Sequence, residues 1–326
     1  MWKSYDVEWK IGSTTVYGTL VKPTGAGPFP GVVMAAGSGP TDRDWNSPLL
    51  PGTNGSAKLI AESLAEAGIA SLRYDKRASG VHAAENMQVL FGKMSMDSHL
   101  EEFAGAVRAL VEDSNIDPHR IFGLGNSEGT LHVLNYDLSS PTLMLAGLIL
   151  TGAPGRSVGD VAHFQLASQA SLIPNGDALL ALYDEAVQRF LAGEPTAPAP
   201  ELPDGVKDLL HSLESPANLP FARELWTTDG ASLIEKVNKP ILVVIGKKDI
   251  QVDWQADGKL LEKAVASKND VEFFYPEEAN HGLKHEPKAR QELLAAEVMA
   301  NYNAEGQVLD PQTMSTMVSW IKRHGA

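Results

Sequence analysis

Short apolar runs alternate along the chain with longer segments of helical periodicity, and this alternation limits the folds available. Pro30–Ala36, Ile69–Tyr74, Arg120–Leu124, Gly147–Leu150, Ile241–Ile245 and Val271–Tyr275 are too short for helices and too continuously apolar for strands with one wet face. Strands of that kind belong inside a mostly parallel sheet covered on both faces by helices. Helical spacing fills several of the gaps, at Ser56–Ala67, Asp97–Glu112, Glu128–Leu138 and Gln255–Ala266. Ser98 and Glu101 suggest a capping box, Gly68 a helix stop, and Asp310-Pro311 the start of a last helix running to Arg323. Two alternating segments near Asp6–Lys10 and Thr14–Val21 read as antiparallel strands at the start. Asp117-Pro118 reads as a break before the strand at Arg120.

Residues 156–236 depart from this rhythm. They carry helical patterns such as Ala178–Leu191 and a proline-rich link, Gly193–Pro200, but no convincing strand. We read them as a helical insertion, a cap, interrupting a core domain formed by residues 1–155 and 237–326. A further helix is expected at Lys288–Tyr302, and no internal repeat is visible.

Composition excludes several chemistries. The 326 residues contain no cysteine, which removes disulfides, thiolate catalysis and Cys-ligated zinc. A net charge of -14 disfavours nucleic acid and anionic membrane as partners. No apolar run approaches the roughly 20 residues needed to span a bilayer, and the first residues lack a signal-peptide core. The expected location is therefore cytoplasmic, and the reading leaves room for a homo-oligomer.

Gly125-Asn126-Ser127-Glu128-Gly129 matches G-x-S-x-G, with a strand before it and a helix after it. The motif needs that context, because the glycines make room for a turn that forces the serine into an awkward backbone conformation. Ser127 would stand at the end of a central strand, where the backbone N–H of Glu128 and the helix dipole favour negative charge. A serine hydroxyl needs a base. His281, in a loop after the strand Val271–Tyr275, is the candidate, and His285 four residues on does not sit in a helical metal-binding pattern. Asp249, in the turn after Ile241–Ile245, would orient the imidazole, with Asp253 as competitor. The order Ser127, Asp249, His281 differs from that of the chymotrypsin and subtilisin types. A second oxyanion donor is assigned to the Ser38 backbone N–H in Ala36-Gly37-Ser38-Gly39.

Together these residues resemble the α/β-hydrolase superfamily, in its esterase, dienelactone-hydrolase-like or serine-aminopeptidase-like branch. Gly37–Asp44 resembles the oxyanion loop of that branch, Leu72–Arg77 its strand-end motif and Gly246–Asp249 its acid-bearing turn. Ala36, Ala78 and Asn126 stand where relatives usually carry histidine, glycine and histidine. The resemblance implies an α/β-hydrolase fold with the insertion after the sixth strand. It also implies a carboxylesterase acting on small-molecule esters through an acyl-enzyme, without cofactor or metal. A peptidase or amidase with the same triad is the alternative, and a noncatalytic module on the same fold a third reading. A serine at the elbow disfavours dehalogenase and epoxide hydrolase chemistry, which use aspartate there. Asp42, Arg43, Asp44, Asp75 and Arg77 are expected to form a salt-linked support for the loop. Phe164, Phe190, Phe221 and Trp226 are candidates for lining an apolar pocket or for packing the cap itself.

Overall fold

The β-branched and apolar runs pair into a single eight-stranded sheet in a computed structural model that describes residues 1–325. The chain begins with β1 (Trp2–Ile11), β2 (Thr14–Pro23), β3 (Phe29–Ala35), α1 (Ser56–Glu66) and β4 (Ala70–Tyr74). It continues through α2 (Ala83–Leu90), α3 (Met96–Val111), β5 (Ile116–Asn126), α4 (Glu128–Leu138) and β6 (Gly147–Thr151). Five helices then follow without a strand among the described residues: α5 (Val158–Ala170), α6 (Gly176–Leu191), α7 (Asp204–Glu214), α8 (Phe221–Trp226) and α9 (Gly230–Ile234). The last part holds β7 (Ile241–Val244), α10 (Ala256–Ala264), β8 (Val271–Phe274), α11 (Ala295–Ala300) and α12 (Pro311–His324).

Strand order is β1-β2-β4-β3-β5-β6-β7-β8. Only β2 runs against its neighbours, and every pairing from β4 to β8 is parallel. Parallel strands require crossovers, and the helices that make them cover both faces. Val33 and Ala35 pack one way against Phe103, Val107 and Leu110 of α3 and Val133 and Leu134 of α4. Their neighbours Val32 and Met34 pack the other way, against Ile60 and Leu64 of α1 and Met317, Trp320 and Ile321 of α12. Each such side chain removed from water stabilises the fold by about 1.5–3 kcal/mol before chain entropy is counted. The helices α5–α8 enclose a separate apolar cluster that includes Tyr183, Phe190, Leu210 and Trp226, while Ile234 of α9 packs into the main core. Among the described residues no helix is long and apolar enough to cross a membrane.

Some local expectations need correction. The capping box of α3 is one turn earlier than Ser98/Glu101: Ser95 accepts from the Ser98 N–H while Ser98 receives the Ser95 N–H. The strand β5 begins before Pro118, which the sheet tolerates because the pairing register shifts between Phe29↔Ile116 and Gly31↔Ile121. The helix expected at Lys288–Tyr302 is only a short 3-10 turn, Arg290–Glu292, and the six residues of α11. Its backbone is broken because Leu293 and Leu294 are extended. The short helix α2, whose apolar spacing is sparse, had no counterpart in the sequence reading.

Candidate active site

At the end of β5 the chain must turn directly into α4, and Ser127 makes that turn with φ 55° and ψ −123°. This is a strained conformation for a residue with a side chain. Space is the second constraint. A Cβ on Gly125 would fall 2.4 Å from the Gly129 carbonyl oxygen, and one on Gly129 would fall 2.3 Å from that of Ala35. The glycines of the motif therefore let β3, β5 and α4 close on one another around the serine. The Ser127 N–H is anchored to the Thr151 carbonyl of β6 at 2.9 Å.

His281 follows β8 in the chain, and Asp249 follows β7. Parallel neighbours end on the same rim, so the two loops meet. His281 Nδ1 lies 2.7 Å from Asp249 Oδ2, and the acid is fully buried. Asp249 Oδ1 accepts the N–H groups of Gln251 and Val252, at 2.8 and 2.9 Å. A carboxylate only accepts, so the Nδ1 proton is placed on the Asp249 side and Nε2 of the neutral ring is left as a base. The imidazole is packed so closely on Gly152 that a Cβ there would lie 2.9 Å from His281 Cε1. Asn126 adds a tether: its Nδ2 donates to the His281 carbonyl and to Thr151 Oγ1, both at 3.1 Å.

Ser127 and His281 border one cavity of about 360 Å³, together with Gly37, Ser38, Glu128, Trp226, Met299 and Tyr302. No hydrogen bond joins the serine hydroxyl to the imidazole among the described residues. Such bonds are often long in an unliganded site and tighten when substrate binds. The Gly37 backbone abuts the serine, since a Cβ added there would lie 3.2 Å from Ser127 Cβ. The backbone N–H groups of Ser38 and Glu128 donate to no protein acceptor among the described residues, which leaves both for a ligand.

Asp253, the competing acid, is engaged elsewhere. It pairs with Arg290 at 2.7 Å and caps the start of α10 through the Gln255 and Ala256 N–H groups. The His285 N–H donates to Val308, away from His281. Arg43 grips Asp75 through Nη2 at 2.7 Å, and Arg73 holds Asp44 at 2.6 Å. Arg77 stands apart from this set and pairs with Glu102 at 2.9 Å and Glu101 at 3.2 Å. Of the aromatic candidates, Phe190 is wholly buried among the α5–α8 helices, while Trp226 reaches the cavity beside Ser127.

Sequence reasoning missed a buried polar array behind the serine. Glu128 accepts from His132 Nε2 at 3.0 Å, and its Oε1 lies 3.3 Å from Lys76 Nζ. Burial disfavours charge on Glu128, yet Lys76, His132 and His99 outweigh it and hold the carboxyl well below its ordinary range. Burial pushes the His132 pKa down, against the pull of its hydrogen bond to Glu128. Next to them His99 Nδ1 bonds Glu102 at 2.9 Å. Burial would raise the Glu102 pKa, but His99 and Arg77 bring it down to about 2. The His132 spacing of i+4 and the Glu102 spacing of i+3 were the signals available. His99, Glu128 and His132 bring ligand atoms within 4.8 Å of one another, as a metal would require. Lys76 already supplies the positive charge there.

No family model matches the chain. It is 27% identical over 266 residues to the esterase EstD of Thermotoga maritima, a match covering 81% of this chain and 57% of that protein. The chain thus spans less than two thirds of that relative. Among solved structures it is similar to a Pyrococcus furiosus esterase, with a TM-score of 0.58, 15% identity, and 99% and 91% of the two chains covered. It is also similar to the α/β hydrolase GrgF from Penicillium sp., with a TM-score of 0.57, 16% identity, and 99% of each chain covered. Sheet order, crossovers and these likenesses agree with the architecture that the motifs resembled. The chain has the α/β-hydrolase fold.

Proposed function

We propose that the protein is a serine hydrolase that cleaves carboxylic esters through an acyl-enzyme. The observation that carries this reading is the strained Ser127 sharing one cavity with a His281 whose Nδ1 is held by buried Asp249. Ser127 Oγ attacks the ester carbonyl while His281 Nε2 takes its proton. The tetrahedral oxyanion is bound by the Ser38 and Glu128 N–H groups. Collapse breaks the bond to the alcohol oxygen, which leaves with the proton from His281. Water then attacks the acyl-serine, giving its proton to His281, and the acid is released with Ser127 restored. Asp249 stays ionised and stabilises the imidazolium that forms in each half.

The helical segment acts as a cap in this reading. Val158, Val161 and Ala162 of α5 and Trp226 of α8 border the cavity with Ser127, which favours an apolar acyl or alcohol group. The esterase relative supports an ester over an amide. Replacing Ser127 by Ala should lower hydrolysis of p-nitrophenyl butyrate by at least about 10⁴-fold with circular dichroism unchanged. Activity near that of the parent would remove the mechanism. Aminoacyl p-nitroanilides assayed beside aliphatic esters separate the peptidase alternative.

A further inference from the structure

We infer that Lys76 is a positioning residue for the oxyanion site, acting on both N–H donors at once; this rests on the esterase reading above. Lys76 Nζ donates to the Gly37 carbonyl oxygen at 2.7 Å. That carbonyl belongs to the same peptide unit as the Ser38 N–H. The unit is planar, so holding its oxygen fixes the direction of its N–H. A cation on the oxygen also draws electron density through the amide, and the N–H becomes a stronger donor.

The second contact concerns the other donor. Lys76 Nζ lies 3.3 Å from the Oε1 of Glu128, whose own N–H is the partner of Ser38. Lys76 and Glu128 are 6% and 3% exposed, so neither charge is screened by bulk water. Without the ammonium, a buried carboxylate would stand uncompensated beside the place where negative charge develops on the substrate. Lys76 itself comes from the loop after β4. It orients the donors and needs no contact with the ester.

Three full-length variants separate these roles: Lys76→Met, Glu128→Gln, and the two combined. The endpoint of fluorophosphonate labelling counts competent Ser127 sites, so each kcat is expressed per labelled site. For Lys76→Met, kcat on p-nitrophenyl butyrate should fall about 10- to 100-fold, less than the 10²–10³ lost when a donor is deleted outright. KM should stay within about twofold, because the ester ground state barely uses these donors. Inhibition by a butyl trifluoromethyl ketone, whose adduct carries an oxyanion, should weaken by the same factor as kcat/KM. The double variant, which leaves no unpaired buried charge, should remain slow. It also carries the measurement if the single variant fails to accumulate. Recovery of parental kcat in the double variant would overturn the inference, since Lys76 would then only neutralise Glu128. So would an unchanged kcat per labelled site in Lys76→Met. Hydrolysis surviving in Ser127→Ala is a different failure, and removes the esterase reading itself.

Discussion

Asp249 is surrounded by donors: one imidazole N–H and two backbone N–H groups converge on its two oxygens. Asparagine keeps the Gln251 and Val252 bonds only when its amide oxygen faces them, and this places its amide N–H against His281 Nδ1. In that orientation the ring turns to the tautomer whose Nε2 carries the proton and cannot accept one. Asp249→Asn should therefore lower kcat by about 10⁴-fold with little change in thermal stability, as measured by ester turnover and calorimetry. A loss of less than tenfold would show that the imidazole is not oriented this way. The Asp249–His281 contact was legible in the sequence, because each residue follows a strand and parallel strands end on one rim. The Lys76–Gly37 and Lys76–Glu128 contacts were not. They join residues from two loops and the start of α4, and a lysine in a turn carries no periodic signal of its own. Asn126 is intermediate. It stands out where a histidine is expected, but only the folded arrangement places its amide on the His281 carbonyl.

At the scale of elements, the segment between β8 and α12 is the least regular part and a wall of the site. Met299 and Tyr302 border the cavity, and Asn303 ties the segment to the loop after β3 by bonding Ser47 and Leu50. Lys284 fastens the same junction, donating to the Asn54 and Tyr302 carbonyls at 2.6 and 2.7 Å. Burial pushes its pKa from 10.5 down to about 8, against the opposing pull of Glu305. Between those values the unfolded chain binds more protons at this position than the folded one, so stability rises with pH across that window. Comparing urea unfolding with that of Lys284→Met cancels the other titrating groups. The difference should shift in favour of the parent from pH 8 toward 10.5, and a flat difference would refute the assignment. A neutral amine keeps two N–H donors, enough for both carbonyls. This segment was misread as one helix because apolar residues at Leu293, Leu294 and Val298 imitate helical spacing, while tertiary bonds to a distant loop dictate the backbone.

Over the whole molecule, the sheet and its two helical layers were readable because buried parallel strands leave continuous apolar runs. The helices α5–α8 were less so, since most of their apolar positions face one another rather than the sheet. Leu210 lies at the centre of that cluster and is fully buried. Leu210→Ala should cost about 2–5 kcal/mol locally. Hydrogen exchange should quicken across residues 158–226 while the strands of the sheet keep their protection and fluorophosphonate still labels every Ser127. Equal loss of protection in both regions would show a single cooperative unit.

Because α5–α8 hold together largely by their own apolar contacts, the wall over the cavity and the frame that carries Ser127 and His281 answer to different packing constraints. A residue such as Trp226, which belongs to that helical cluster, can be exchanged to reshape the cavity, while the strain at Ser127 and the spacing of the groups around it remain as they were.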